Sequence, residues 1–401
     1  MSFQQGLSGL NSAAKSLDSV GNNIANSGTV GFKSSSTLFS DVYAASLGGG
    51  NQIGIGVAVG GISQQFTQGN LTSTNNPLDI AINGQGMFRL SNNGATTFTR
   101  NGQFNIDKNG FVVNTSGARL TGYLANASNA IVQSSPLDIS INTADLQPQP
   151  TGYTGVNGGV KIGLNLNSTE KTFGATPSFD FTPESYTSST SVTVYDTLGN
   201  SHLMSLFFRK GDGTDGAGTP PVLPSNTWQL YTSIDGGTTI GTDATGPTLV
   251  SFSSTGALTT PPIIPQSLAV TTGAVTPLGP LPTVPPPLGF SLNLTGSTQY
   301  GNIFGVNSIN QDGYTSGRLS GLSVAADGTL QGRYSNGQSR DLAQVVLANF
   351  NNPNGLTSLG GNQWAETPDS GQPLIGVPGS GSLGVLQSAA IEESNVDLTA
   401  E

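Results

Sequence analysis

The chain has 401 residues, of which only 9% are charged, against about 25% in typical globular domains. Its formal net charge is −10, and its 13 lysines and arginines are scattered, which argues against a nucleic-acid partner because phosphate binding needs clustered cations. There is no cysteine, so disulfides and thiolate sites are excluded. Since no apolar run is long enough to span a bilayer, we expect no membrane insertion.

Residues 3–26 predict an amphipathic helix whose apolar positions recur in alternating steps of four and three residues, a heptad pattern typical of paired helices. These positions, with Gly21 in the remaining place of the pattern, are Phe3, Leu7, Leu10, Ala14, Leu17 and Ile24. Glycines within the helix each weaken it by up to about 1 kcal/mol, so we expect it to need another helix along this stripe. The partner is either the core of its own domain or a neighbouring subunit, and the pattern alone fits both.

Residues 34–70 are rich in glycine and predict an extended connector between the helical segment (residues 1–33) and a β-rich region. From residue 71 to about 150, short apolar runs alternate with Asn-Gly pairs, a strong signal for hairpin turns. These runs predict a β-meander, with strands at Met87–Leu90, Phe98–Arg100, Gln103–Ile106 and Phe111–Asn114.

A second β-rich region, residues 151–310, interrupts this pattern, which returns at residues 311–385. We therefore expect a mainly β, multi-domain protein with two β-rich domains, the outer one inserted into the inner one, plus an N-terminal coiled-coil-forming α-helix. The Pro-rich stretch 261–288 favours extended or loop structure within the inserted domain. Residues 386–401 predict the start of a C-terminal helix, because Ser394 to Asp397 match a helix N-terminus.

Residues with catalytic potential are few, and we expect no active site, no metal and no cofactor. The single histidine, His202, lies in a β pattern and is expected on a strand face. Glu392 and Glu393 are adjacent, so they do not face one another on a helix, and we expect them in solvent or at a helix N-terminus. A secreted β-rich hydrolase or adhesin remains an alternative, although it requires clustered carboxylates or a nucleophile–base pair.

The run SGLNSAAKSLDSVGNNIANSGTVGFK, residues 8–33, resembles the N-terminal signature of the flagellar rod and hook family. The most specific positions of the resemblance are Asn22, Asn23, Ile24, Ala25, Asn26, Gly31 and Phe32. Residues 76–90 and 99–123 also resemble segments shared by rod and hook proteins. Residues 192–208 and 342–371 are more similar to hook proteins themselves.

This resemblance implies a structural subunit that polymerises into the flagellar hook, a curved, flexible tube acting as a universal joint. In that family, terminal helices form the inner tube, a β-rich domain surrounds them, and an inserted β domain lies outermost. The implied partners are other copies of this chain in a helical homopolymer, rod, hook-cap and hook–filament junction proteins, and the flagellar type III export apparatus. The implied location is the extracellular hook and basal body of the bacterial flagellum, reached without a cleavable signal peptide.

A distal rod or hook-associated axial protein is the nearest alternative, although the large insertion at residues 151–310 argues against it. Hook proteins resemble one another in continuing past the sequence NVDLTAE into a long helix, so the chain ending at Glu401 looks truncated. The resemblance implies that the apolar stripe packs on that helix.

Overall fold

A computed structural model gives the structure of the protein. It describes residues 2–42, 56–126, 128–142, 144–153, 158–173, 179–211, 226–236, 247–260, 262–268 and 288–399. Most of the Pro-rich stretch and the middle of the predicted connector therefore lie outside the described residues. The described residues form mainly β-strands together with an N-terminal α-helix, which confirms the predicted fold class.

The chain divides into two compact units. The first comprises Met1–Ala144 and Leu319–Glu401, and the second comprises Asp145–Arg318. The predicted limits of the insertion were 151 and 310, but the residues just outside those limits pair with one another: Leu146 with Gly317 and Gln149 with Tyr314. The second unit is therefore a few residues longer at each end than the pattern suggested.

The first unit begins with helix α1 (Ser2–Ala25). Within the described part of the chain, no helix combines the length and apolarity needed to cross a membrane. The strands of this unit are β1 (Ser35–Val42), β2 (Gly56–Gln64), β3 (Leu71–Ser73), β4 (Ile80–Asn83), β5 (Met87–Asn92), β6 (Ala95–Thr99), β7 (Asn105–Ile106), β8 (Val112–Val113), β9 (Arg119–Leu124), β10 (Leu137–Asp138), β21 (Leu319–Val324), β22 (Thr329–Tyr334), β23 (Ser339–Val345), β24 (Leu347–Asn349), β25 (Thr357–Gly360), β26 (Gln363–Ala365), β27 (Leu374–Gly376), β28 (Val385–Ser388) and β29 (Ala390–Glu392).

The main sheet of the first unit draws on both pieces of its sequence. Its strand order is β21-β22-β23-β9-β5-β6-β26-β25, so strands from before and after the second unit share one sheet. The buried side chains beneath it form one apolar cluster that includes Ile82, Phe88, Leu90, Leu120 and Leu347. Burial of these side chains holds the two sequence pieces together, because it removes apolar surface of both pieces from water.

The predicted meander forms only in part. Asn93 and Gly94 both have positive φ angles, 51° and 92°, and join β5 to β6 in the two-residue turn that an Asn-Gly pair favours. Asn101-Gly102 makes no such turn, because β6 pairs with β26 instead of the next strand. Gly102 instead accepts a hydrogen bond from Ile80 N at 2.8 Å, an approach that a side chain would block.

Two regions, the predicted connector and the C-terminal segment, differ from the sequence-based expectations. The described part of the predicted connector is a hairpin, because β1 and β2 pair in antiparallel register from Ser35–Gln64 to Val42–Gly56. The predicted C-terminal helix start is wrong for the described residues, since residues 385–392 form β28 and β29 and residues 393–399 contain no helix. The Asn395 side chain is engaged elsewhere, accepting a hydrogen bond from Ser34 N at 2.7 Å.

The second unit, considered by itself, contains two five-stranded sheets among its described residues. Its strands are β11 (Gly159–Asn167), β12 (Ser188–Tyr195), β13 (Ser201–Lys210), β14 (Thr227–Ile234), β15 (Thr248–Phe252), β16 (Leu258–Thr260), β17 (Ile263–Leu268), β18 (Leu288–Asn293), β19 (Thr298–Tyr300) and β20 (Gly305–Gln311). One sheet has the order β12-β13-β14-β15-β16, and the other is organised around β11. Side chains from both sheets, among them Leu164, Leu206, Phe208, Trp228 and Leu292, share one buried core.

We predict that Leu206→Ala lowers the free energy of unfolding by about 2–5 kcal/mol, because it leaves a cavity where Leu206 is fully buried. The control is Leu203→Ala on the same strand, where the side chain is 50% exposed, and its effect should stay within about 0.5 kcal/mol. Urea unfolding followed by Trp228 fluorescence, in a Trp364→Phe background, measures both. Equal losses would contradict the observed register of β13.

Candidate functional site

Helix α1 turns its apolar residues away from the rest of the described chain. Phe3 is 80% exposed, Leu10 68% and Leu17 70%. With these lie Leu7, Ala14 and Ile24, which are also exposed, and we call the six residues the apolar stripe. The structure thus brings all six predicted stripe residues onto one exposed surface. Contiguous apolar surface of this kind is rare on soluble monomers and usually marks an interaction site.

The opposite, polar face of α1 is the buried one. Its most buried side chains are Ser12, Ser19 and Asn23, and Asn23 retains only 2% exposure. This is the reverse of an ordinary surface helix, which buries its apolar side against its own domain. The sequence carried a signal for this face, since these polar residues recur at steps of seven and four opposite the apolar stripe, but the apolar positions alone do not reveal it.

Hydrogen bonds hold the polar face to the β1–β2 hairpin. Asn23 Nδ2 donates to Ser35 O at 2.9 Å, and Ser35 N donates back to Asn23 Oδ1 at 3.0 Å. Ser19 Oγ also donates to Ser35 O at 2.9 Å. Further along the helix, Val57 N donates to Ser8 Oγ at 3.3 Å. Because these bonds are directional, they fix the rotation of α1 about its own axis and therefore the direction in which the apolar stripe points.

The exposed apolar surface continues from α1 onto the hairpin. A groove of about 490 Å³ lies between the two elements, and its lining includes Leu17 and Val20 from the helix and Phe39 and Val57 from the hairpin. Phe39 is 48% exposed. Leu17 belongs both to the stripe and to the groove, so the two form one continuous apolar surface.

The residues of the family signature form the end of α1 and the turn after it. Asn26 Nδ2 donates to Asn22 O at 2.9 Å, and Thr29 Oγ1 donates to Asn26 Oδ1 at 3.2 Å. Asn22, Ile24 and Ala25 are exposed, whereas Asn23 is buried as described above. The signature asparagines therefore satisfy backbone and side-chain groups where the helix stops.

Gly31 and Phe32 belong to the segment that enters the β-rich part of the first unit. Gly31 has a φ angle of +70°, and a Cβ atom there would lie 2.6 Å from Asn101 N. Only glycine fits both the left-handed backbone and this close approach. Gly31 N also donates to Glu392 O at 2.8 Å, and Phe32 is half-buried beside it.

Three charged side chains, which we call the ion cluster, meet immediately after this segment. Lys33 Nζ lies 2.6 Å from Glu392 Oε1, and both side chains are fully buried. Arg100 Nη1 lies 3.5 Å from Glu392 Oε2 and is 4% exposed. The sequence-based expectation that Glu392 lies in solvent or at a helix N-terminus was wrong, because its partners are distant in sequence and leave no local pattern.

Burial dominates the electrostatics of the ion cluster. It lowers the pKa of Lys33 because a poorly solvated site disfavours the charged form, and the attraction of Glu392 only partly opposes this. Burial also lowers the pKa of Arg100, again against the attraction of Glu392. The carboxylate is therefore the group that keeps both cations tolerable in the interior.

His202 lies on β13, in the second unit. Its Nδ1 is 2.6 Å from Asp235 Oδ2, and its Nε2 is 3.6 Å from Asp196 Oδ2. The hydrogen bond with His202 is the main reason that the pKa of Asp235 lies below its ordinary value. The ring thus joins the β12–β13 turn to the end of β14. Among the described residues, no group of three or more acidic or histidine side chains is arranged to hold a metal ion.

We predict that Glu392→Gln lowers the free energy of unfolding of the first unit by about 3–5 kcal/mol, because it leaves two buried cations without a counter-charge. The matched control is Glu393→Gln at the adjacent, exposed residue, which should change stability by no more than about 0.5 kcal/mol. Urea unfolding followed by Trp364 fluorescence distinguishes the two. Similar stability of both variants would contradict the buried ion cluster.

Three family models match the chain: the flagella basal body rod protein over residues 3–33, the flagellar hook protein FlgE/F/G D1 domain over residues 81–154, and the flagellar basal body protein FlaE D2 domain over residues 165–314. The apolar stripe and the signature thus lie in the first matched segment.

Similar whole chains carry one description. The flagellar hook protein FlgE of Salmonella typhimurium is 39% identical over 100% of this chain and 92% of its own length. That of Treponema pallidum is 30% identical over 99% of this chain and 92% of its own length. The crystal structure of Helicobacter pylori flagellar hook protein FlgE2 shares the fold, with a TM-score of 0.53 at 15% identity, covering 79% of this chain and 99% of that chain. The chain therefore belongs to the flagellar hook protein family.

Proposed function

We propose that this protein is a structural subunit of the flagellar hook and that it assembles with other copies of itself through the apolar stripe of α1. The observation that carries the proposal is the orientation of α1, which buries Asn23 and leaves Leu10 and Leu17 about two-thirds exposed. The family to which the chain belongs supports the hook as the structure being built.

The energetics of the stripe support assembly. Burying a large apolar side chain contributes about 1.5–3 kcal/mol, and five of the six stripe residues are large. Their heptad spacing suits a partner helix that crosses α1 at a shallow angle. A second helix with the same spacing, from another copy, satisfies both requirements.

The apolar stripe is continuous with the groove beside the hairpin, which supports an assembly contact that includes the β1–β2 hairpin as well as α1. Ile62, which lies on β2 opposite Thr37, is 67% exposed. The hairpin therefore widens the apolar surface beyond the helix, which favours an assembly contact that includes both elements.

A structural role, and not a catalytic one, follows in this proposal from the family. The rod alternative is less well supported, because the rod family model covers only residues 3–33 while hook proteins align with the whole chain. The layered arrangement in the tube, the rod, cap and junction partners, and export without a cleavable signal peptide remain predictions.

We predict that Leu10→Asp combined with Leu17→Asp abolishes hook formation, because two buried carboxylates in an apolar interface cost more than the contact gains. The assay is electron microscopy of flagellar basal bodies from a strain whose own hook protein gene is deleted and replaced by the variant. Urea unfolding of the second unit, followed by Trp228 fluorescence, should be unchanged.

The matched control combines Gln4→Asp with Asn11→Asp, which adds the same charge to exposed positions of α1 outside the stripe. This control should form hooks. Normal hooks from the Leu10→Asp, Leu17→Asp protein, or equal failure of both variants, would contradict assembly through the stripe.

A further inference from the structure

The ion cluster contains more positive charge than its single carboxylate can balance. Lys33 and Arg100 both face Glu392, and all three are at least nine-tenths buried. A surplus charge in the interior is costly, because the free energy lost when an ion is desolvated often exceeds the free energy gained from its attraction to a partner. Arg100 alone would neutralise Glu392, so charge balance does not account for Lys33.

Lys33 joins three segments that are distant in sequence: its own, the one after β2 and the end of β29. It lies between the end of α1 and the start of β1, where the chain leaves the β-rich part of the first unit. Its Nζ donates to Thr67 O at 2.6 Å, in the segment by which the chain returns after β2. The same Nζ pairs with Glu392 at the end of β29, a residue 359 positions away. One ammonium group therefore ties both ends of the α1–hairpin assembly to the C-terminal strand.

The carboxylate that receives Lys33 is itself held in place. Gly69 N donates to Glu392 Oε1 at 3.0 Å, and Arg100 Nη2 donates to Gly84 O at 2.8 Å, which anchors the guanidinium to the loop after β4. Neither contact depends on Lys33. Without the lysine, a balanced pair of Arg100 and Glu392 would remain, and Thr67 O would still accept a hydrogen bond from Asn395 Nδ2 at 3.3 Å.

We propose that Lys33 is a positioning residue, which fixes the direction in which α1 and its hairpin leave the β-rich part of the first unit and so the direction in which the apolar stripe is presented. An apolar side chain in its place would fill the space but would not define a register, because apolar contacts lack directionality. The ammonium group, held by one carboxylate oxygen and one carbonyl oxygen, does define it.

Other contacts near the same place are less suited to this task. Trp364 Nε1 donates to Gln64 Oε1 at 2.8 Å, and Asn362 Nδ2 donates to Val30 O at 2.9 Å. Each of these bonds holds one end of the α1–hairpin assembly only. The Asn395 side chain, like Lys33, holds both ends, accepting from Ser34 N at 2.7 Å and donating to Gln65 O at 2.7 Å. These are bonds of a neutral amide, whereas the bond of Lys33 to Glu392 is charge-assisted and therefore stronger. Loss of Lys33 should consequently loosen the direction of the assembly without detaching it.

The test is a distance measurement on the purified, unassembled full-length chain carrying Lys33→Met. Because the chain has no cysteine, spin labels can be placed at Asp18→Cys on α1 and Lys108→Cys on the β-rich part, both at exposed positions. Pulsed electron–electron double resonance between the two labels should give one narrow distance distribution with Lys33 present and a distinctly broader one with Lys33→Met.

Thermal unfolding separates positioning from stabilisation. Lys33→Met should shift Tm by no more than about 3 °C, whereas Glu392→Gln should lower it by about 6–20 °C. As a further control, Leu330→Ala destabilises the core of the same unit on β22, a strand that carries no residue of the ion cluster, and should leave the distance distribution narrow.

A narrow distribution in the Lys33→Met protein would overturn the proposal. So would a loss of Tm equal to that of Glu392→Gln, since Lys33 would then act through stability. The consequence for assembly rests on the proposed function, but the distance is measured without assembly. Its outcome is therefore independent of whether the Leu10→Asp, Leu17→Asp protein forms hooks.

Discussion

The reciprocal hydrogen bonds between Asn23 and Ser35 decide which face of α1 meets solvent. A helix with an apolar stripe would ordinarily bury that stripe in its own domain, and nothing in its periodicity prevents this. Here the two bonds, with that from Ser19, commit the opposite face to the β1–β2 hairpin. The apolar stripe is consequently left exposed, which is what the proposed assembly through it requires.

Features with a local cause could be predicted from the sequence. The heptad pattern placed α1 within one residue of its bounds, and Asn93-Gly94 identified the β5–β6 turn because the turn geometry is set by those two residues. The expected turn at Asn101-Gly102 does not form, because β6 pairs with β26, which lies more than 250 residues away in sequence. Local chemistry specifies a turn only when the strands on either side of it pair with each other.

The inward face of α1 was visible in the sequence but ambiguous, since Ser12, Ser19 and Asn23 also fit an ordinary solvated surface. The ion cluster could not have been predicted. Its members come from three distant segments, and each looks like a typical exposed charge in its own neighbourhood. Glu392 was misplaced for this reason: burial of a charge depends on partners that only the folded chain brings together.

The polar face of α1 and the contacts of Lys33 both orient the apolar stripe, at different points of the chain. Hydrogen bonds along the polar face set the rotation of α1 against its hairpin, and Lys33 sets the direction in which both leave the β-rich part. Both rely on directional polar contacts at places where apolar packing would tolerate several geometries. In a polymer, small errors in the direction of each subunit accumulate along the tube, so a precise exit of the assembling helix has evident value.

The central claim, that the unassembled subunit covers the polar face of α1 and exposes the apolar one, is tested most directly by thiol accessibility. Ser12→Cys and Ala14→Cys are matched small substitutions two residues apart, in a chain with no other cysteine. In the unassembled protein, a maleimide should modify the Ala14→Cys protein rapidly and the Ser12→Cys protein slowly, and assembly should protect the Ala14→Cys site. Faster modification of the Ser12→Cys protein before assembly would contradict the account.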